Sequence, residues 1–109
     1  MYKIKKMDIK DYTKIIFLWK DAKEIVLHYR DDSRKNIRKF LEKNPNTCFV
    51  AEDKNEGIIG TIMGGNDGRR GLIYHLFIKP EQRRNGIGKV LLEKTEKGYK
   101  KEGIGKFIY

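Results

Sequence analysis

A chain of 109 residues with a 39% apolar fraction has material for one small sheet-and-helix core. No apolar run is long enough to span a bilayer, no signal-peptide core follows Met1, and the single cysteine, Cys48, cannot close an internal disulfide, so the chain reads as cytoplasmic. The formal charge is +10, but lysines interleave with acids, as in Glu93-Lys94-Thr95-Glu96-Lys97; that pattern describes a solvated helix face and argues against nucleic acid as partner, while His28 and His75 leave no metal-ligand spacing.

Tyr2 to Met7 alternates apolar and basic residues and predicts a first strand. Asp8 then caps a helix, with Met7 and Tyr12 at the hydrophobic-staple positions. Ile9, Tyr12, Ile16 and Trp19, joined by Ile15 and Ala22, fall on one face, so this helix runs from Ile9 to about Lys23. Ser33 caps a second helix with a buried face of Ile37, Phe40 and Leu41, and Asn44-Pro45 stops it. Thr47 to Glu52 is a strand, Asp53 to Gly57 a turn, Ile58 to Met63 the next strand, and Gly64 to Gly68 a wide hairpin loop.

Leu72, Tyr74, Leu76 and Ile78 form one face of the following strand and Ile73, His75 and Phe77 the other. Both faces are apolar, which predicts a central position in the sheet. A helix spans Gly86 to about Glu102 with Gly103 as a left-handed C-cap, and Lys106 to Tyr109 begins a further strand.

The junction before that helix carries the chemistry. A strand ends at Pro80, a basic loop follows, and the helix opens on Gly86 and Gly88. Unpaired amides and the macrodipole make a helix start partly positive, and a glycine lets an anion approach the backbone. Arg83, Arg84 and Lys89 add positive charge. The P-loop pattern fails, because Arg83 replaces its first glycine and Val90 its Ser or Thr. The dinucleotide fingerprint fails at Leu91.

What remains, Arg83, Gly86 and Gly88 in the pattern R-x-x-G-x-G after a strand and a proline, resembles motif A of the GNAT acetyltransferase superfamily. The resemblance covers nearly the whole chain. It implies a mixed α/β fold, with a mostly antiparallel central sheet flanked by helices in the order β-α-α-β-β-β-α-β. Residues 1–109 then form one domain that stops after the start of the fifth strand. It implies acetyl-coenzyme A as co-substrate, no metal, and acetyl transfer to an amine. Leu76, Phe77 and Ile78 would offer backbone groups to the pantetheine arm, as in strand addition, provided that the next strand splays away. An N–H near Ile78 would polarise the acetyl carbonyl, and Arg83, Arg84, Asn85, Gly86, Ile87, Gly88 and Lys89 would hold the pyrophosphate.

Two tasks remain. The ammonium of an acceptor, with a pKa of about 10.4 for a lysine-like amine, must lose a proton, and the departing thiolate must gain one. Many relatives place a glutamate on the fourth strand. This chain has Tyr74 and His75 there, and both are candidates, although either residue also suits plain packing. A coenzyme A-binding domain with little or no turnover is the alternative. Small amines, peptide N-termini and protein lysines all remain open as acceptors. A sheet that stops at its fifth strand leaves an unpaired edge, which predicts a homodimer.

Overall fold

Five strands pair side by side in sequence order. In the computed structural model, which describes residues 1–20, 22, 25 and 31–108, they are β1 (Tyr2–Lys6), β2 (Cys48–Asp53), β3 (Gly57–Asn66), β4 (Gly71–Ile78) and β5 (Phe107–Ile108). The first four are antiparallel, and β5 runs parallel to β4. The helices are α1 (Tyr12–Lys20), α2 (Arg34–Lys43) and α3 (Ile87–Lys101), with 3₁₀ turns at Ile9–Asp11 and Pro80–Gln82. The order predicted from sequence is the order observed. No described helix is long and apolar enough to cross a membrane.

The sheet separates two cores. On one side α1 and α2 bury Ile15, Trp19 and Ile37 against Val50, Met63 and Phe77. On the other, α3 buries Ile87, Leu91 and Tyr99 against Phe49, Ile59, Ile62 and Ile73. Neighbours such as Phe49 and Val50 go to opposite cores, as the two-residue period of a strand requires.

The caps are local. Ser33 Oγ accepts the Asn36 N–H at 3.2 Å, and the Asn44 N–H closes α2 on Phe40 O. At the end of α3, Gly103 (φ 76) donates to Lys100 O and Ile104 to Tyr99 O, a Schellman closure that buries Ile104.

Four expectations change. Asp8 does act as a cap, accepting the Lys10 N–H at 2.9 Å, but it caps the 3₁₀ turn, and α1 proper starts at Tyr12. Helix α1 closes at Lys20, and Ala22 lies outside it; Asp21 and Lys23 fall outside the described residues, as does Tyr109 of the last strand. Strand β3 continues through Gly64, Gly65 and Asn66, so the hairpin loop is shorter than predicted. These glycines serve packing rather than a turn. A Cβ at Gly64 would stand 2.6 Å from Tyr99 Oη and 2.8 Å from Thr47 O, and one at Gly65 would stand 3.0 Å from Phe40 Cζ.

The fourth change concerns β4. It does lie between β3 and β5, but β5 meets it only at Gly71 and Leu72. From Ile73 to Ile78 its far edge has no strand partner among the described residues. Its side chains also break strict alternation. Ile73 and Ile78 pack toward α3 together, and Tyr74 and His75 both turn to the other side. The reason is a bulge: Thr61 faces Phe77 while Met63 faces Tyr74, so β4 spends one residue more than β3 over the same span.

Candidate active site

The extra residue in β4 is accommodated around His75, whose φ is 49. Histidine is among the side chains enriched at positive φ, but the conformation still needs support. Three contacts hold it. Thr61 Oγ1, fully buried, donates to His75 O at 2.8 Å and accepts from Trp19 Nε1 at 2.9 Å. The Trp19 ring lies 4.4 Å from the His75 ring, tilted by 52°. Asp32 Oδ1 lies 2.9 Å from His75 Nε2.

Asp32 is itself 8% exposed and fixed, since Tyr12 Oη donates to its carbonyl at 2.6 Å. A carboxylate accepts only, so Nε2 carries the proton in this pair, and the neutral tautomer that fits it has its lone pair on Nδ1. Among the described residues Nδ1 makes no hydrogen bond. His75 opens on a groove of about 640 Å³ between α2 and the sheet, lined by Asp31, Asp32, Asn36, Phe40, Met63 and Tyr74 among others. Tyr74 is 45% exposed there and meets Phe40 edge to face.

The second half of the site lies where β4 ends. Lys79 N–H donates to Ile59 O at 2.8 Å, so by strand alternation Ile78 and Leu76 aim their backbone groups away from β3, toward the open edge. Ile78 O is taken by Arg83 Nε at 2.9 Å, and the Arg83 guanidinium sits 5.3 Å from the Phe77 ring centre. Arg83 is therefore folded back on β4 rather than extended into the loop.

The chain then turns through two left-handed residues, Arg84 (φ 70) and Gly86 (φ 76). The first bond of α3 runs from Val90 N–H to Gly86 O, so the amides of Ile87, Gly88 and Lys89 precede the ladder. A Cβ at Gly86 would find no atom within 4 Å, and one at Gly88 only Ile78 Cγ1 at 3.8 Å. The helix start is thus open on the side an anion would use, which fits a pyrophosphate.

A larger groove of about 800 Å³ lies between α1 and the end of β4, with Phe17, Ile58, Phe77 and Pro80 in its wall. Its walls carry none of the candidate bases. Among the described residues there is no cluster of side chains that could hold a metal ion. Cys48 is no nucleophile: it is buried, and burial pushes its thiol up to about 12.

The acetyltransferase (GNAT) family profile matches residues 8–109. The chain belongs to the GNAT acetyltransferase family. An acetyltransferase of Photorhabdus laumondii is 36% identical over 98 residues, which make up 90% of this chain and 66% of that protein. Against further curated relatives this GNAT chain spans about 60% of their length. Among solved structures, Ard1 from Thermoplasma volcanium superposes with a TM-score of 0.76 at 14% identity, over 94% of this chain and 66% of that one. A predicted acetyltransferase from Clostridium acetobutylicum, solved with acetyl-CoA, gives 0.71 at 23% identity, over 99% of this GNAT chain and 79% of that one.

The residues expected from sequence fall into two places on one strand. Leu76, Phe77, Ile78 and the segment Arg83 to Lys89 gather at the end of β4, and Tyr74 and His75 stand at the bulge. Asp32 and Thr61 were missed. Asp32 lies 43 residues from its partner in sequence, and only the fold brings this residue, just before α2, against β4.

Proposed function

We propose that the chain is an acetyl-coenzyme A-dependent N-acetyltransferase. The observation that carries this reading is the open edge of β4, which runs from the start of α3 to the bulge at His75. Leu76 and Ile78, with Phe77 between them, offer the outward backbone groups of that edge to the pantetheine arm. Arg84, Asn85, Gly86, Ile87, Gly88 and Lys89 surround the pyrophosphate, and Arg83 approaches it from the β4 side. When bound, acetyl-coenzyme A supplies an activated thioester. The acceptor amine enters through the groove under α2. His75 serves as its base: Asp32 holds the Nε2 proton, and Nδ1 takes the proton that the ammonium gives up. Tyr74, half-exposed in the same groove, is the candidate proton donor.

Gly86→Val tests the first half. Valine is strained at φ 76 and places a side chain where the anion would lie, so calorimetry should show at least a tenfold loss of acetyl-coenzyme A affinity. Unchanged affinity in a folded variant rejects the site. Thiol release over an amine panel tests the second half. Tight binding of acetyl-coenzyme A with no release for any amine would instead support a binding domain without turnover.

A further inference from the structure

The groove beside His75 is charged at both ends, with opposite signs. Its acids, Asp31 and Asp32, precede α2, and Asp32 is the buried partner of His75. Its bases, Lys39 and Lys43, lie further along the helix. Asn36, Lys39, Phe40 and Lys43 follow the i, i+3, i+4, i+7 spacing of one helix face, and all four line the groove. The middle is apolar, made by Phe40, Met63 and the Tyr74 ring.

We propose that the acceptor is an amine that also carries an anion, a carboxylate or phosphate at the far end of a short apolar linker. The inference rests on the acetyl-transfer reading above and names the substrate class of that same groove. The amine lies at the Asp32–His75 pair. The linker runs along Phe40 and Met63, and the anion meets Lys39 and Lys43. With a helical rise of 1.5 Å per residue, Lys39 lies about 9 Å and Lys43 about 15 Å along the axis from the cap Ser33. Lysine stems several ångström long let the ammonium groups reach back toward the groove centre.

Three observations favour this class over a diamine. Neither lysine has an ion-pair partner among the described residues. The single acid of α2, Glu42, is not among the groove's lining residues. The chain carries a charge of +10, so a second cation on the acceptor would meet repulsion at the lysine end. Lysines that merely offset the helix dipole would serve on any face of the last turn.

Hexylamine, ε-aminocaproate and pentane-1,5-diamine share one linker of five methylenes and differ only in the far group: methyl, carboxylate or ammonium. Their kcat/KM values with the full chain and saturating acetyl-coenzyme A test the proposal. The expected order is ε-aminocaproate first and the diamine last, separated by about tenfold, as two exposed charge contacts would give at most. The double variant Lys39→Glu/Lys43→Glu should reverse that order, and Lys39→Gln/Lys43→Gln should flatten it. Equal values for the three probes, or an order that neither variant moves, overturns the inference and leaves acetyl transfer standing. Transfer to none of the three, with acetyl-coenzyme A bound, also overturns the inference, and the wider amine panel then decides the acetyl-transfer reading separately.

Discussion

At the scale of single residues, the site depends on how His75 is held. Its backbone is left-handed, its ring is covered on one side by Trp19, and its Nε2 faces a carboxylate that is nearly excluded from water. An imidazole with one nitrogen tied down presents the other in one tautomer and one orientation. Asp32→Asn keeps the shape but removes the charge and allows the amide to present a donor. In the proposed reaction it should lower kcat by about ten- to a hundredfold while acetyl-coenzyme A affinity stays within about twofold, because Asp32 acts through His75. Steady-state kinetics with calorimetry reads both numbers. A parallel loss of affinity would mean that Asp32 supports the fold instead, and a melting curve would then show it.

At the scale of elements, the legible parts were those with short-range causes. Caps at Ser33 and Gly103, the apolar faces of α1 and α2, and the strand-proline-loop-helix junction all follow from neighbours in sequence. The illegible parts have long-range causes. Gly64 and Gly65 read as loop residues because their reason for lacking a side chain is Tyr99, Thr47 and Phe40. The bulge in β4 has no local signature: Leu72 to Ile78 alternates well enough to predict a regular strand, and only the pairing with β3 reveals the extra residue. The motif suffices to propose Phe77 and Ile78 for the coenzyme arm, but nothing local announces the pairing of His75 with Asp32.

The bulge also decides what Trp19 does. Read from helical spacing alone it is a core residue, and it is fully buried, but its Nε1–H also holds the Thr61 hydroxyl that holds His75 O. Trp19→Ala should cost about 3–5 kcal/mol in a denaturant melt. Trp19→Phe separates the roles. It keeps most of the packing and should cost about 1–2 kcal/mol, mainly from the buried Thr61 hydroxyl left without its donor. In the proposed reaction that variant should lose turnover beyond its loss of stability. Full turnover in Trp19→Phe would show that the bulge holds without the indole.

At the scale of the molecule, two buried groups set an alkaline limit. Burial pushes the Cys48 thiol up from 9.0 to about 12, and burial is also the main cause that raises the Tyr99 hydroxyl from 10.0 to about 12. Both protons stay on in the folded chain at pH values where the unfolded chain has lost them. Their contribution is fully present below pH 9 and is lost as pH rises toward about 12. Urea melts between pH 8 and 11.5 should show stability falling over that window. In Cys48→Ala the part of the fall that begins near pH 9 should disappear; an identical slope in both proteins would refute the assignment.

The two edges of the sheet are built differently, and that difference bears on assembly. The outer edge belongs to β1, whose five residues include Lys3, Lys5 and Lys6; lysines on an edge strand discourage pairing with another chain. On the other side β5 covers β4 only at Gly71 and Leu72; beyond Leu72 β4 has no strand partner among the described residues, and it has no lysine, arginine or carboxylate from Gly71 to Ile78. If the chain forms the homodimer expected from its sequence, β4 is the edge that favours it. Acetyl-coenzyme A is proposed to lie along that same edge, so ligand and partner compete for one row of backbone groups. Light scattering over a dilution series should therefore give a dimer mass without ligand, and saturating acetyl-coenzyme A should shift it toward the monomer. A monomer under both conditions would remove the dimer. A dimer indifferent to ligand would place the contact away from β4 and leave the edge to the coenzyme alone.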